Sequence, residues 1–355
     1  MSRFKQIAGK LEAYGLDAML VTGEANRLYS TGFHSTAGVA LVTAGGSWFV
    51  TDSRYIEAAG RAIDGAAVLE CTREKPTAKL IAALAAKEGV KRMGFEERYM
   101  TVAEHTSWQK ALDVELVPAT ALLDELRSVK DRAEVDALIS AQRIAEKALT
   151  ETLNFIRAGR TEKEISAFLQ YQMLLGGAEK MSFEPIVVSG ANSSMPHGVP
   201  TEKAVEAGDF VTMDFGCVYG GYCSDMTRTV AVGRVTEEMD RVYHTVLRAQ
   251  QAGIAAAKPG VTGKAVHEAA AQVIADAGYG AYFGHGFGHG VGVEIHELPN
   301  ASPANDQPLP VGAVISAEPG IYLPGRFGVR IEDVLVITDA GCQDIMLAPK
   351  DLLIL

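Results

Sequence analysis

From Asp131 onward the sequence states one pattern twice, and a doubled pattern restricts the fold more than any local propensity does. A helical stretch runs into Ala158-Gly159-Arg160-Thr161 and a new helix starts at Glu162; a second stretch runs into Pro259-Gly260-Val261-Thr262 and another helix starts at Gly263. Thr161 and Glu164 have capping-box spacing, which marks the start of the first of these new helices. Each copy then passes through a glycine into an apolar strand. Ala207-Gly208-Asp209 leads into Phe210 to Asp214, and Val311-Gly312-Ala313 leads into Val314 to Glu318. In both copies an acidic residue stands six positions after the glycine. Small α/β units resemble one another by chance in their helix pattern, and the matched acids favour a true duplication.

Ahead of the repeat, short apolar strands (Ala18 to Val21, Val39 to Val42, Trp48 to Val50) alternate with helical stretches such as Thr77 to Gly89, an α/β pattern. Around Ala119 to Val129 it gives way to a long helical stretch, Asp131 to Ile156, rich in Ala, Glu, Lys and Arg. The boundary is placed there, giving domains 1–126 and 127–355. A chain of 355 residues also exceeds the size at which one core stops growing. A net charge of -11 works against nucleic acid as a partner, because that binding draws on clustered Lys and Arg. Cys71, Cys217, Cys223 and Cys342 show no CxxC spacing, so neither a zinc knuckle nor a disulfide scaffold is expected. The N-terminus reads as an amphipathic helix running into a strand, without the apolar stretch of a signal peptide, and no apolar run reaches membrane-spanning length. A cytoplasmic protein with no membrane partner is expected.

The chemistry concentrates in three segments. In the first, Gly220-Gly221 separates two strand-like runs and signals a two-residue hairpin. With a tight turn Tyr219 faces Tyr222, Asp214 falls opposite Thr227 and Asp225 opposite Gly216. Asp214 and Asp225 then share one face as diagonal neighbours, roughly 7 Å apart or less at Cβ. Two such carboxylates repel unless a cation sits between them. Apolar Val211, Met213 and Phe215 indicate burial rather than a solvated surface hairpin.

The second segment is Phe283-Gly-His285-Gly-Phe-Gly-His289-Gly-Val-Gly-Val-Glu-Ile-His296-Glu297. Its alternating glycines oppose a helix. In an extended chain His285 and His289 point the same way but lie about 13 Å apart, so at most one binds a given metal. Glycines there suit a strand that another backbone or a substrate approaches closely. Together with His197, three histidines in one run exceed what core packing explains. In the third segment Glu318 precedes Pro319, which favours an extended backbone, and a strand from Val329 to Val334 puts Arg330 and Glu332 on one face. A carboxylate in an apolar strand is costly to bury unless paired or ligated. Two Asp, two Glu and one His suit manganese, cobalt or zinc without singling one out.

These segments resemble the pita-bread metallopeptidases, in the branch of proline dipeptidases (prolidases) and Xaa-Pro aminopeptidases. MDFG followed by GYCSDMTRT, then GHGFGHGVGVEIHE and EPGIYLPGRFGVRIED, stand in the expected order, and LVTGEANRLYSTGF with FVTDSRYIEAA resembles the branch's creatinase-like amino-terminal domain. The resemblance implies an α/β (α+β) fold, a creatinase-like domain followed by a pseudo-symmetric catalytic domain. It implies two divalent metal ions, manganese first and cobalt or zinc as alternatives. Asp214, Asp225, His289, Glu318 and Glu332 would be the ligands, Asp225 and Glu332 bridging, with His289 and Glu318 completing one site and Asp214 the other. His197, His285 and His296 would hold substrate and stabilise the transition state, with Arg330 behind a ligand. The expected reaction is hydrolysis before proline in an Xaa-Pro dipeptide by a hydroxide shared between the metals, with Glu318 as general acid/base and His197 or His296 on the oxyanion. The alternatives are an aminopeptidase acting on longer Xaa-Pro peptides and, more remotely, a metal-free binding module. A homodimer is also implied. Phe183 is taken as core. Ser316-Ala317 departs from the Thr followed by Ile or Val expected before Glu318, and smaller side chains there are expected to loosen the packing beneath it.

Overall fold

A computed structural model describes residues 2–355, which form two compact units that join in sequence between Arg127 and Ser128. The first unit holds strands β1 (Ala18–Val21), β2 (Val39–Thr43), β3 (Ser47–Thr51), β4 (Ala67–Glu70), β5 (Arg92–Phe95) and β6 (Glu115–Pro118). Its helices are α1 (Arg3–Lys10), α2 (Glu24–Thr31), α3 (Ile56–Ala62), α4 (Thr77–Lys87), α5 (Val102–Ala111) and α6 (Thr120–Ser128). The strands make one mixed sheet in the order β4-β3-β2-β1-β5-β6. Central β1 is an unbroken apolar run because both of its faces are covered. Met19 and Val21 pack with Phe4, Ile7 and Leu122, while Ala18 and Leu20 pack with Ile81 and Met93. Helices on both faces of a sheet bear out the α/β expectation.

In the second unit the repeat is real. The first half contains α7 (Arg132–Phe155), α8 (Glu162–Leu175), β7 (Lys180–Met181), β8 (Ile186–Ser189), β9 (Phe210–Phe215), β10 (Cys217–Tyr219), β11 (Tyr222–Cys223) and β12 (Met226–Ala231). The second contains α9 (Glu237–Ala256), α10 (Gly263–Asp276), β13 (Gly288–Gly290), β14 (Glu297–Ala301), β15 (Val314–Ala317), β16 (Gly320–Leu323), β17 (Phe327–Arg330), β18 (Asp333–Thr338) and β19 (Gly341–Asp344). The triplet β8-β9-β12 corresponds to β13-β15-β18, each pair antiparallel. Thr161 caps α8 in a reciprocal box with Glu164, and Thr262 caps α10 by accepting the Ala265 N–H. Both caps satisfy helix-start N–H groups that otherwise lack partners.

Each helix pair covers one face of its triplet. Val211, Met213 and Phe215 pack beneath α7 and α8 with Ala145, Leu149 and Leu169. Ile315 and Ala317 pack with Val246, Ala249 and Val266 of α9 and α10. By the period-2 alternation of β9, Thr212 and Asp214 point away from that core. The Thr212 hydroxyl meets that of Thr229 at 3.0 Å, and Thr229 donates to the Arg330 carbonyl at 3.0 Å. The polar faces of the two halves therefore meet, and the acids of the repeat lie between them.

Two local features set the register. Gly220 and Gly221 both take positive φ (58° and 77°), the conformation of a type I′ hairpin. Tyr219 pairs with Tyr222 and Asp214 with Thr227, as the sequence predicts. Gly288 is required by close backbone approach: a Cβ there would come within 1.9 Å of the Ser316 carbonyl oxygen across β13 and β15. One strand expectation needs correction. Val329 to Val334 is not a single strand, because β17 pairs with β16 in a separate hairpin while β18 pairs with β15. The chain changes sheets at Ile331-Glu332, and Glu332 is held there by its N–H donating to the Thr227 carbonyl at 3.1 Å.

Candidate metal centre

A cavity of about 540 Å³ opens in the second unit, within the usual size of a small-ligand site. Asp214 comes from the body of β9, Asp225 from the residue before β12, and His289 from the middle of β13. Glu318 follows β15 and Glu332 precedes β18. All five line the cavity, as do His197, His285, His296 and Arg330. Asp225, His289 and Glu332 offer ligand atoms that all lie within 4.8 Å of one another. His289 Nε2 is 3.5 Å from Asp225 Oδ2 and 3.2 Å from Glu318 Oε1. Asp214 and Glu318 stand outside the tight group of three, and Asp214 Oδ2 accepts from the buried Arg330 guanidinium.

The electrostatics are those of carboxylates crowded together out of water. Burial first, then the neighbouring acids, push the Asp225 and Glu332 carboxyls well above the usual carboxylate range. Burial and Glu318 also raise Asp214, against the pull of Arg330. Burial acts upward on Glu318 too, but His289 outweighs it and holds Glu318 down at about 2. Burial lowers His289, yet Glu318 wins and lifts it to about 9. Among the described residues, Asp214 Oδ1 and Glu332 Oε1 are buried and meet no hydrogen-bond donor. Orphaned buried carboxylate oxygens are costly, and divalent cations are the ligands that four acids and an imidazole fit.

The surroundings are ordered for that purpose. The His289 Nδ1 lies 3.0 Å from the Gly290 carbonyl, which takes the ring proton and leaves Nε2 to face the acids. The Ser316 hydroxyl donates to Glu318 Oε1 at 2.9 Å and accepts the His289 N–H at 3.0 Å. The expectation that Ser316 loosens the packing is therefore corrected: its small side chain ties two site residues together. Arg330 donates to the Tyr322 hydroxyl at 2.8 Å and to Thr227 Oγ1 at 3.1 Å, and Thr227 donates to Glu332 Oε2 at 2.7 Å. Tyr322 in turn reaches His285 Nε2 at 3.0 Å, and His285 Nδ1 donates to the Gly286 carbonyl at 2.8 Å. Desolvation keeps His285 below its ordinary value, which fits the neutral ring this chain requires.

His197 and His296 are exposed to the cavity. The His296 ring packs edge-on against His289, with centroids 4.2 Å apart. Phe183 lines the cavity and is only partly buried, so its assignment as core is wrong. Tyr322 was missed because a tyrosine in the strand after Glu318-Pro319 carries no sequence mark separating it from ordinary packing.

Acids and one imidazole on the floor of a peptide-sized cleft, between two duplicated α/β halves, form the arrangement of a metal-dependent hydrolase. The chain belongs to metallopeptidase family M24, whose profile matches residues 136–339, and it carries a creatinase/prolidase N-terminal domain over residues 3–129. It is 41% identical to the peptidase YqhT of Bacillus subtilis (strain 168), covering 100% of this chain and 99% of that one. Among solved structures it is similar to an Xaa-Pro dipeptidase from Bacillus anthracis, with TM-score 0.96 and 39% identity over 99% of both chains. An X-Pro aminopeptidase from Thermotoga maritima MSB8 superposes with TM-score 0.92 and 36% identity, over 98% of this chain and 100% of that one. The family and fold inferred from the motifs are thereby borne out. Among the described residues no helix is long and apolar enough to cross a membrane.

Proposed function

We propose that the protein is a proline dipeptidase that hydrolyses the peptide bond before proline in Xaa-Pro dipeptides with a pair of divalent cations. The observation that carries this reading is the buried cluster of Asp214, Asp225, Glu318 and Glu332 around His289, with two carboxylate oxygens that no protein donor satisfies. Asp214, Asp225, His289, Glu318 and Glu332 would hold the cations. Manganese is the first candidate, with cobalt and zinc as alternatives. When bound, the cations supply Lewis-acid polarisation and make water acidic enough to react at neutral pH.

The chain's own residues do the rest. Glu318 takes the proton of the attacking water and delivers one to the proline nitrogen, which has no hydrogen in the peptide and must gain one to leave. His197 or His296 donates to the oxygen that becomes negative as the carbonyl is attacked. His285 is kept neutral by desolvation, oriented by Tyr322 and Gly286, and faces the substrate cavity. Arg330, bonded to Thr227, Tyr322 and Asp214, fixes Asp214 at the edge of the substrate cavity. Ser316 sets the distance between His289 and Glu318, and Ser316→Ala is expected to lower kcat about tenfold in steady-state assays, with the melting temperature little changed.

Loading has a pH signature. In the metal-free protein Glu318 lifts His289 to about 9 against the pull of burial, so at neutral pH the imidazole holds a proton that a cation must displace. Cation binding is expected to release protons, and affinity should climb with pH until His289 is deprotonated, levelling off above about 9. Calorimetry in two buffers of different ionisation enthalpy reads this directly, and buffer-independent heats at pH 7 would contradict it.

The resemblance to a protein named X-Pro aminopeptidase supports a second reading, cleavage of longer Xaa-Pro peptides. Comparing kcat/KM for Ala-Pro with that for Ala-Pro-Ala, on manganese-loaded protein, decides between them. Preference for Ala-Pro supports the dipeptidase, preference for the tripeptide supports the aminopeptidase, and cleavage of neither refutes both.

A further inference from the structure

We propose that Lys130 is a positioning residue for this reaction, acting on His296 through a buried ion pair with Glu297. The inference rests on the catalytic reading above. Lys130 lies just before α7, and its side chain is only 1% exposed. Its ammonium stands 2.6 Å from a Glu297 carboxylate that is itself 6% exposed. A lysine so deeply buried is rare unless paired. Its backbone is anchored as well, since the Lys130 N–H donates to the Gly312 carbonyl at 2.8 Å, at the turn leading into β15.

Glu297 opens β14, opposite Gly290 of β13. Its carboxylate lies directly over Gly292, where a Cβ would come within 2.1 Å of Oε1, and it accepts the Glu294 N–H at 3.3 Å. One carboxylate thus closes the loop from Gly292 to Glu297. That loop carries Ile295 and His296 into the cavity, and His296 sets its ring against His289. An exposed imidazole has little packing to orient it, so its direction is inherited from the loop. Without the Lys130 ammonium, a buried carboxylate must take up a proton or turn toward solvent. Either change acts on the residue bonded to His296. A fold staple and a positioning device differ in what they do to catalysis, and a mutant cycle separates them.

The test uses manganese-loaded protein with Ala-Pro as substrate and four forms: wild type, Lys130→Met, His296→Ala and the double variant. Lys130→Met is expected to lower kcat about tenfold with KM and manganese content little changed. The double variant is expected to be no slower than His296→Ala alone, because the position Lys130 maintains has no ring left to hold. Losses that multiply in the double variant, or an unchanged kcat in Lys130→Met, overturn the proposal. If Lys130→Met does not fold, Glu297→Gln, which keeps the shape and removes the charge, enters the same cycle with the same expectations. A readout independent of turnover is the nuclear Overhauser contact between the His289 and His296 rings in metal-free, histidine-labelled protein. It should weaken in Lys130→Met, and an undiminished contact overturns the proposal. Should the wild type cleave no proline peptide, the catalytic reading fails on its own, while the ring contact still decides the role of Lys130.

Discussion

Glu318→Gln is expected to fold like the wild type and to turn over Xaa-Pro dipeptides about a thousandfold more slowly, the middle of the range for a general acid/base. The amide keeps the shape and can still accept the Ser316 hydroxyl, so the β15 terminus should stay in place. The ability to carry a proton between water and the proline nitrogen is lost, and that shuttle matters most for a nitrogen with no hydrogen of its own. Removing the charge that lifts His289 to about 9 should also return the imidazole toward its ordinary range in the metal-free protein. Steady-state kinetics, a melting curve and a pH titration of the His289 ring by nuclear magnetic resonance check the three parts. Near-normal kcat with intact fold would remove Glu318 from the reaction.

Asp225→Asn should abolish activity and reverse the stability order between metal-free and loaded protein. Asp225 is 3% exposed, and burial followed by Glu332, Asp214 and Glu318 raises its pKa, so its negative charge is unfavourable in the metal-free protein. For a carboxyl whose folded pKa lies above its unfolded value, the stability present at low pH is lost as pH rises through the folded value. Near neutrality an isosteric amide removes that burden, and metal-free Asp225→Asn is expected to exceed metal-free wild type by on the order of 1 to 3 kcal/mol. With manganese present the order should invert, because the wild type gains binding energy that the variant lacks. Thermal unfolding of both proteins with and without manganese measures this. A metal-free variant less stable than the wild type would mean that Asp225 is held by bonds within the protein rather than kept for a ligand.

Much of this site was legible in the sequence because its geometry is carried by backbone rules. Gly220-Gly221 fixes the turn, the turn fixes the pairing of Tyr219 with Tyr222, and strand periodicity carries that register to Asp214 and Asp225. The duplicated Gly-to-acid spacing likewise marked Asp214 and Glu318 as equivalents. What escaped depends on contacts between distant segments. Whether Phe183 faces core or cavity is decided by what packs over it. Ser316 looked like a loss of volume because sequence does not show where a hydroxyl points, and here it points at Glu318. The strand from Val329 to Val334 broke because two hairpins compete for it, and only the sheet partners reveal that. The Lys130 and Glu297 pair joins segments that no local pattern connects.

The central claim is that Asp214, Asp225, His289, Glu318 and Glu332 together enclose two cations. Anomalous diffraction at the manganese edge, from crystals of the protein loaded with manganese, tests it most directly. Two peaks should appear among the five side chains. A single peak, or none, with Asp214 held only by Arg330 and His289 still paired to Glu318, would contradict it.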